Sequence, residues 1–165
     1  MWFKMIPRDL SWSERAAQKI RNAVVLPCSP EEVFSILADI KQTPFWFDEI
    51  YGGTWDSENT HCVGSRRTVH LDMLSVRETF LSWEPSRRFA FTITESTIPL
   101  SVSIVEDYRL SPEDNGCTKL EWDVAYQLRW YVIPFKPIVI WIFGRMFQRA
   151  SASLKNYISR KASKV

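Results

Sequence analysis

Residues 64–84, GSRRTVHLDMLSVRETFLSWE, have the pattern from which the fold class is most readily inferred. Apolar and polar residues alternate on both sides of Asp72–Met73, and successive residues of a β-strand point to opposite faces of a sheet. The pattern therefore predicts strands over 65–71 and 74–83. Because only two residues separate the strands, we expect them to pair as an antiparallel hairpin.

The same period-two pattern continues beyond this hairpin. It predicts further strands at 88–96, 101–110 and 118–128, separated by the turn segments EPSR, TIPL and SPEDNGC. Proline, asparagine and glycine in these segments favour chain reversal. Before the hairpin, AQKIRNAVVLP predicts a first strand over 17–27, and a short strand is expected near 51–57.

Helices are predicted on both sides of this series of strands. Ser29, Pro30 and Glu32 have the spacing of a helix start with a capping box, and the segment QTPFWFDEI indicates a second short helix or a turn. Near the end of the chain, apolar residues recur at helical spacing over 137–162. The order of elements predicts an α+β fold, in which a meander of antiparallel strands is followed by a long C-terminal helix.

Opposed residues of a hairpin share one face of the sheet, so a single face can be followed through the strands. Closing the hairpins pairs Arg67 with Glu78, and Glu106 with Trp122. The apolar face collects Val69, Leu71, Leu74, Val76, Phe80, Phe89, Phe91, Ile93, Val102, Ile104, Leu120, Trp122, Val124 and Tyr126. The opposite face, expected in water, collects Arg66, Thr68, His70, Arg77, Thr79, Thr92, Thr94, Asp107, Lys119, Glu121 and Asp123.

Charged and hydroxyl-bearing residues also fall on the apolar face, namely Arg67, Glu78, Glu95, Glu106, Tyr108 and Tyr126. Buried charges are costly unless they are paired. Such groups therefore indicate either a ligand site, a structural ion pair or a water-filled cavity. A carboxylate among aromatic rings has a raised pKa and can act as an acid or a base, so Glu106, Glu78 and Arg67 are the candidate catalytic residues.

Several motifs in this order resemble those of a known superfamily. SPEEVFSILADIKQTPFW resembles the opening helices of polyketide cyclase/dehydrase and START-like (SRPBCC, helix-grip) proteins, although Phe34 stands where Trp is common. VGSRRTVHL with SVRETFLSWEPSRRFAFTI resembles the central block of that superfamily. The matching residues of this block are Gly64, Arg67, Glu78 and Pro85. GCTKLEWDV resembles its last strand and FGRMFQRASASLKNYI its closing helix, so the likeness covers about 17–160.

The resemblance implies a curved antiparallel sheet gripping the long helix, with an elongated cavity between them. Such a cavity takes a small hydrophobic molecule such as a lipid or a polyketide. The alternative function is that of a cyclase or dehydratase that uses cavity carboxylates and Arg67. The residues expected to contact the ligand are Arg67, Glu78, Phe80, Phe91, Ile93, Ile104, Glu106, Tyr108, Trp122, Tyr126 and Met146.

The composition limits the remaining possibilities. The chain has 165 residues, which suits one domain over 15–165 after a loosely attached N-terminal leader, 1–14. Its net charge of only +2 argues against nucleic acid as a partner. The three cysteines have no disulfide framework, and the start of the chain has no signal-peptide pattern, so we expect a cytoplasmic protein. The spacing of His61, Cys62 and His70 matches no familiar set of metal ligands, and we expect neither a metal nor a cofactor.

The segment 131–147 contains more apolar residues than one buried helix face needs. It is shorter than a spanning helix requires and is interrupted by prolines and charges. The surplus could cap the cavity, contact a membrane surface, bury against another subunit or pack on the N-terminal leader.

Overall fold

The computed structural model describes residues 1–163. Over these residues the protein consists of an eight-stranded antiparallel sheet, two short helices and one long helix. The elements are β1 Phe3–Lys4, α1 Leu10–Arg15, β2 Lys19–Leu26, α2 Pro30–Ala38, β3 Ile50–Trp55, β4 Arg66–Leu71, β5 Ser75–Glu84, β6 Arg88–Ser96, β7 Ser101–Pro112, β8 Thr118–Leu128 and α3 Lys136–Ala162. Seven strands follow the order β2-β8-β7-β6-β5-β4-β3, and β1 pairs with β6. The predicted α+β helix-grip architecture is confirmed.

The start of α2 has the predicted capping box. The Glu32 backbone N–H donates to Ser29 Oγ, and the Ser29 backbone N–H donates to Glu32 Oε2 at 3.1 Å. These bonds satisfy two donors that a helix end leaves unpaired. Val33 and Leu37 are buried on the inner face of the helix, so the cap fixes where α2 closes one end of the sheet.

The predicted register holds for β4 with β5, and for β5 with β6 only between Glu78 and Phe80. Arg67 lies opposite Glu78, and Phe91 lies opposite both Phe80 and Glu106. Side chains at these opposed positions share the concave face of the sheet. The turns together with the bulge between Phe80 and Ser82 therefore set the register that brings three ionisable groups to the inside.

Bulges shift the rest of the β5–β6 pair, so Ser82 lies opposite Ala90 and not opposite Phe89. Glu95, predicted on the apolar face, lies opposite Arg77 and forms an ion pair with it.

The predicted register of the last hairpin is wrong by two residues. Trp122 lies opposite Tyr108 and not opposite Glu106. The reason is that β7 continues to Pro112 and the chain reverses at Asn115, which has a φ of 61°. A shift of two residues preserves the face of every side chain, because the side-chain period of a strand is also two.

The sequence predicts a loosely attached N-terminal leader, but in the structure this leader is part of the sheet. The ladder between β6 and β7 ends at Thr92 and Val105, and residues 3–6 lie between the two strands beyond that point. The Met5 backbone N–H donates to β6, and the Ile6 backbone N–H donates to β7. Met5 is only 7% exposed. The leader therefore closes a gap that would otherwise leave backbone groups of both strands unpaired.

Three polar residues predicted to face water are buried on the convex side of the sheet: Thr68, Thr92 and Asp107. Two arginines enclose the carboxylate of Asp107, with Arg88 Nε at 2.9 Å and Arg109 Nη1 at 2.7 Å. The hydroxyl of Thr92 accepts the backbone N–H of the leader. Long side chains and the leader cover this part of the convex face. The alternation of residues within one strand does not predict this cover.

Gly53 lies where β3 passes very close to neighbouring chain segments. A Cβ at this position would come within 2.7 Å of the backbone oxygen of Thr68 and within 2.8 Å of Ile40 Cγ1. Ordinary contacts between such atoms are longer than 3 Å. Only glycine therefore allows β3 to pack so closely against β4 and the segment that follows α2.

The long helix α3 lies across the concave face of the sheet. A 3₁₀ turn over Trp130–Phe135 leads into it, and its second half buries Ala150, Leu154 and Ile158. The first half contributes Met146 and a few half-buried neighbours to the same side. An enclosed space remains between this first half and the sheet.

Candidate functional site

A cavity of about 130 Å³ lies between the concave face of the sheet and the first half of α3. Its wall is mostly apolar. Of the residues predicted to contact a ligand, the structure places nine on the wall: Arg67, Glu78, Phe91, Ile93, Ile104, Glu106, Tyr108, Tyr126 and Met146. An apolar cavity with a few convergent polar groups has the composition of a small-molecule site.

Phe80 and Trp122 lie behind the wall, contrary to the prediction. Phe80 packs against Trp55 and Trp83, and the rings of Phe47 and Phe147 cover Trp122. Both side chains point to the concave side, as the alternation requires. Their rings are covered by neighbours that come from other parts of the chain, so they support the wall from behind.

Sequence reasoning missed wall residues that come from outside the meander. They are contributed by the leader, by α2 and the segment after it, by the β6–β7 turn and by α3: Met5, Leu37, Ile40, Trp46, Phe47, Ile98, Leu100, Val139, Ile140, Phe143 and Phe147. Helical spacing of apolar residues in α2 and α3 is a signal for some of these. No local signal points to Met5, whose position depends on pairing across about 90 residues.

The Arg67–Glu78 ion pair lies on the cavity wall. Arg67 Nε is 2.5 Å from Glu78 Oε2, and the two residues are 6% and 5% exposed. The guanidinium carbon lies 5.0 Å from the ring centre of Phe80 and 5.3 Å from that of Phe91. Arg67 Nη1 is buried and has no hydrogen-bond partner among residues 1–163. The pair thus leaves the Nη1 group of Arg67 buried and, within the described residues, unsatisfied.

Glu106 is the second carboxylate of the cavity. Its Oε2 accepts hydrogen bonds from the Tyr108 hydroxyl and from Trp122 Nε1, both at 3.0 Å. Within the described chain, no donor reaches its Oε1, and the surface that Glu106 keeps accessible belongs to the cavity wall. One oxygen is therefore fixed by the protein, and the other is available to a molecule in the cavity.

Burial sets the charge of these groups. Burial, and next the nearby negative charge of Glu78, raise the pKa of Glu106 from 4.5 to about 7, against the opposing effect of its hydrogen-bond donors and of Arg67. Burial also raises the pKa of Glu78, and the Arg67 guanidinium opposes that rise. Burial and Glu106 raise the pKa of Tyr108, so its hydroxyl remains a donor. Near neutral pH, Glu106 can therefore gain or lose a proton.

The cavity has a buried polar end and an apolar mouth. Six of its half-exposed apolar wall residues lie at the β4–β5 turn, at the β6–β7 turn and at the start of α3: Leu71, Leu74, Ile98, Leu100, Val139 and Ile140. Arg67, Glu78 and Glu106 lie deeper along their strands. A molecule that enters at the mouth meets the charged groups last.

The two histidines lie apart from the cavity. His61 packs against Trp55 and Trp83, and the His70 Nδ1 atom is 2.9 Å from the hydroxyl of Ser75. Within residues 1–163, no group of three or more His, Cys, Asp and Glu side chains is arranged to hold a metal ion.

A curved antiparallel sheet that grips a long C-terminal helix over an apolar cavity defines the START-like, helix-grip class of proteins. The chain belongs to the family of "Polyketide cyclase / dehydrase and lipid transport" proteins, whose family model matches residues 17–159.

The chain is also similar to other proteins in sequence and in structure. An uncharacterized protein of Mycobacterium tuberculosis is 37% identical over 120 residues, covering 72% of this chain and 71% of the relative. A START superfamily protein from Mycobacterium smegmatis has a TM-score of 0.73 at 13% identity, covering 86% of this chain and 97% of its own. The Zhui aromatase/cyclase from Streptomyces sp. R1128 has a TM-score of 0.73 at 14% identity, covering 88% and 95%. The structural likenesses are at the level of the fold.

Proposed function

We propose that the protein binds a small hydrophobic molecule that has one polar end. The observation that supports this most is the apolar cavity with Arg67, Glu78 and Glu106 on its wall, the first two of them buried. The apolar part of the ligand would replace water along the wall. Its polar end would donate a hydrogen bond to Glu106 Oε1, which accepts from no group of residues 1–163. A small shift of the Arg67 side chain would let Nη1, which is buried without a partner among those residues, donate to the same end of the ligand.

The size of the cavity restricts the ligand. A volume of about 130 Å³ is close to that of an apolar cavity of ~150 Å³, which admits benzene. We therefore expect the cavity to hold one ring or a short chain, and a longer molecule to extend through the mouth. A lipid with a single acyl chain or a fragment of a polyketide fits this description.

A second candidate function is supported by the pKa of Glu106. A carboxyl with a pKa of about 7 that faces a cavity suits general acid–base catalysis. In a dehydration, the Glu106 carboxylate would take the proton from the carbon beside a carbonyl polarised by Arg67. It would then return that proton to the departing hydroxyl, so that water leaves and a double bond remains.

Binding of phenol and toluene tests the proposed ligand chemistry. The two molecules have similar size, and only phenol has a hydroxyl to donate to Glu106. We expect tighter binding of phenol, and we expect Glu106→Gln to reduce this preference by about fivefold, since a charge-assisted bond exceeds a neutral one by roughly 1 kcal/mol. Calorimetry at a pH above 7 measures both affinities. Equal affinity of the wild type for phenol and toluene would contradict the polar-end proposal.

A variant that fills the cavity mouth tests the location of binding. Ile140 lines the cavity, whereas Ile142, two residues later in α3, is 49% exposed and lies off the wall. Ile140→Trp should weaken toluene binding at least tenfold, and Ile142→Trp should leave it unchanged. Native mass spectrometry of the purified protein would identify any retained ligand. Toluene binding that is unaffected by Ile140→Trp would place the binding site elsewhere.

A further inference from the structure

Exposed apolar side chains surround one side of the cavity mouth. They come from the 3₁₀ turn and the first turns of α3 and are called the mouth patch: Trp130, Tyr131, Ile133, Phe135, Ile138, Trp141 and Ile142. Each is between 42% and 80% exposed. Scattered exposed apolar residues are common, but a continuous group of this kind marks an interaction surface.

The mouth patch is held in place next to the opening. The backbone N–H of Arg129 donates to the Leu100 oxygen at 3.1 Å, and the Tyr131 hydroxyl donates to the Pro99 oxygen at 2.6 Å. Both acceptors belong to the β6–β7 turn, and Leu100 lines the cavity. On the β4–β5 turn, Met73 lies between two wall residues and is 82% exposed. Apolar side chains thus project on two sides of the opening.

The charges of the chain are distributed unevenly around this patch. Between Val124 and Arg149, the sequence contains four Lys and Arg residues and no Asp or Glu. Lys136 and Arg145 lie within or next to the patch, and the Arg145 guanidinium lies 5.4 Å from the Trp141 ring. Arg149 is paired with Glu49, and Asp72 lies on the opposite side of the mouth.

We propose that the mouth patch docks on the surface of an anionic membrane, with the cavity opening towards the lipid. Trp and Tyr favour the membrane–water interface, and Lys and Arg are attracted to anionic head groups. An apolar helix surface with basic neighbours suits a position in the plane of that interface. A second copy of the chain is a poorer occupant, because a two-fold contact would bring the same cationic segments together.

Docking differs from spanning the membrane. By length and composition, the segment Trp130–Ala162 is apolar enough to cross a bilayer, and 17% of its most apolar 18-residue window is buried. The second half of α3, however, packs on the sheet through Ala150, Leu154 and Ile158. A docked protein keeps these contacts and inserts only the mouth patch. The proposal does not depend on the identity of the cavity ligand.

Co-sedimentation with vesicles tests the proposal. We expect the full-length protein to bind vesicles made of equal parts phosphatidylcholine and phosphatidylglycerol, and to bind phosphatidylcholine vesicles at least tenfold more weakly. Trp130→Ser with Trp141→Ser should reduce binding to the mixed vesicles at least tenfold. Val63→Ser is the matched control, because Val63 is 63% exposed in the loop before β4, away from the mouth. This control should bind as the wild type does.

The remaining outcomes separate docking from its alternatives. Lys136→Gln with Arg145→Gln should weaken binding to the mixed vesicles and leave the binding to phosphatidylcholine unchanged. Toluene binding by the Trp130→Ser, Trp141→Ser variant should equal that of the wild type, so a failure of docking is distinguishable from a failure of ligand binding. Equal sedimentation of the wild type and this variant would overturn the proposal. The proposal would also be overturned if the wild type bound neither vesicle and instead formed a concentration-dependent dimer that Trp130→Ser with Trp141→Ser abolished.

Discussion

Replacing Glu106 with Gln should change how the stability of the protein depends on pH. The pKa of Glu106 is about 7 in the folded protein, against an ordinary value of 4.5. Below 4.5 the carboxyl is protonated in both states and has no differential effect. As the pH rises towards 7, the unfolded chain loses this proton first, so the free energy of unfolding falls.

The size of the effect follows from the difference between the two pKa values. A difference of about 2.5 units at ~1.36 kcal/mol per unit lowers the free energy of unfolding by up to about 3 kcal/mol above pH 7. Glutamine keeps an oxygen that can accept from Tyr108 and Trp122 but has no proton to lose. The free energy of unfolding of Glu106→Gln, relative to the wild type, should therefore rise by up to about 3 kcal/mol between pH 4.5 and values above 7.

Urea unfolding followed by tryptophan fluorescence across this pH range measures the difference. The same substitution at Glu58, an exposed loop residue, is the control and should give a profile parallel to that of the wild type. Parallel profiles for Glu106→Gln and the wild type would contradict a raised pKa of Glu106 in the folded protein. They would mean that the carboxylate of Glu106 is well solvated in the folded protein, and the acid–base role would lose its support.

Three further substitutions test the packing around the site. Arg67→Met leaves Glu78 buried without its partner and should lower the free energy of unfolding by about 3–5 kcal/mol. The double variant Arg67→Met, Glu78→Leu should recover most of this loss. Additive effects of the two substitutions would contradict the pairing. Gly53→Ala should lower the free energy of unfolding by about 1–3 kcal/mol because its Cβ meets the backbone of β4. Gly52→Ala has open space around its Cβ and should lower it less. The reverse order would contradict the close approach of β3 and β4. Leu154→Ala should cost about 2–5 kcal/mol, since this side chain is fully buried between α3 and the sheet, and a loss below 1 kcal/mol would indicate that the helix is not gripped. Urea unfolding measures all three.

Local sequence patterns predict most of the sheet because they repeat over many residues. Alternation assigns Arg67, Glu78 and Glu106 to the concave face, and the structure places all three on the cavity wall. The last hairpin is shifted by two residues, yet Trp122 keeps its face. A property with period two is unaffected by an error of two residues.

The errors concern contacts between segments far apart in the chain. Asp107 is buried because Arg88 and Arg109 converge on it, which alternation within one strand does not reveal. Phe80 has the right face but is covered by aromatic rings from β3 and β5. Pairing of Met5 with β6 depends on a gap between two strands, and no composition signal marks such a gap.

The position of residues 3–6 between β6 and β7 sets an order of events during synthesis. Some of their partners lie as much as 97 residues later, so these residues leave the ribosome long before the strands that will hold them. Before residues 3–6 pair with β6 and β7, these two strands have unpaired backbone groups, and unpaired strand edges can bind other chains. Insertion of the first residues should be a late step of folding, after which these edges are no longer accessible to foreign strands.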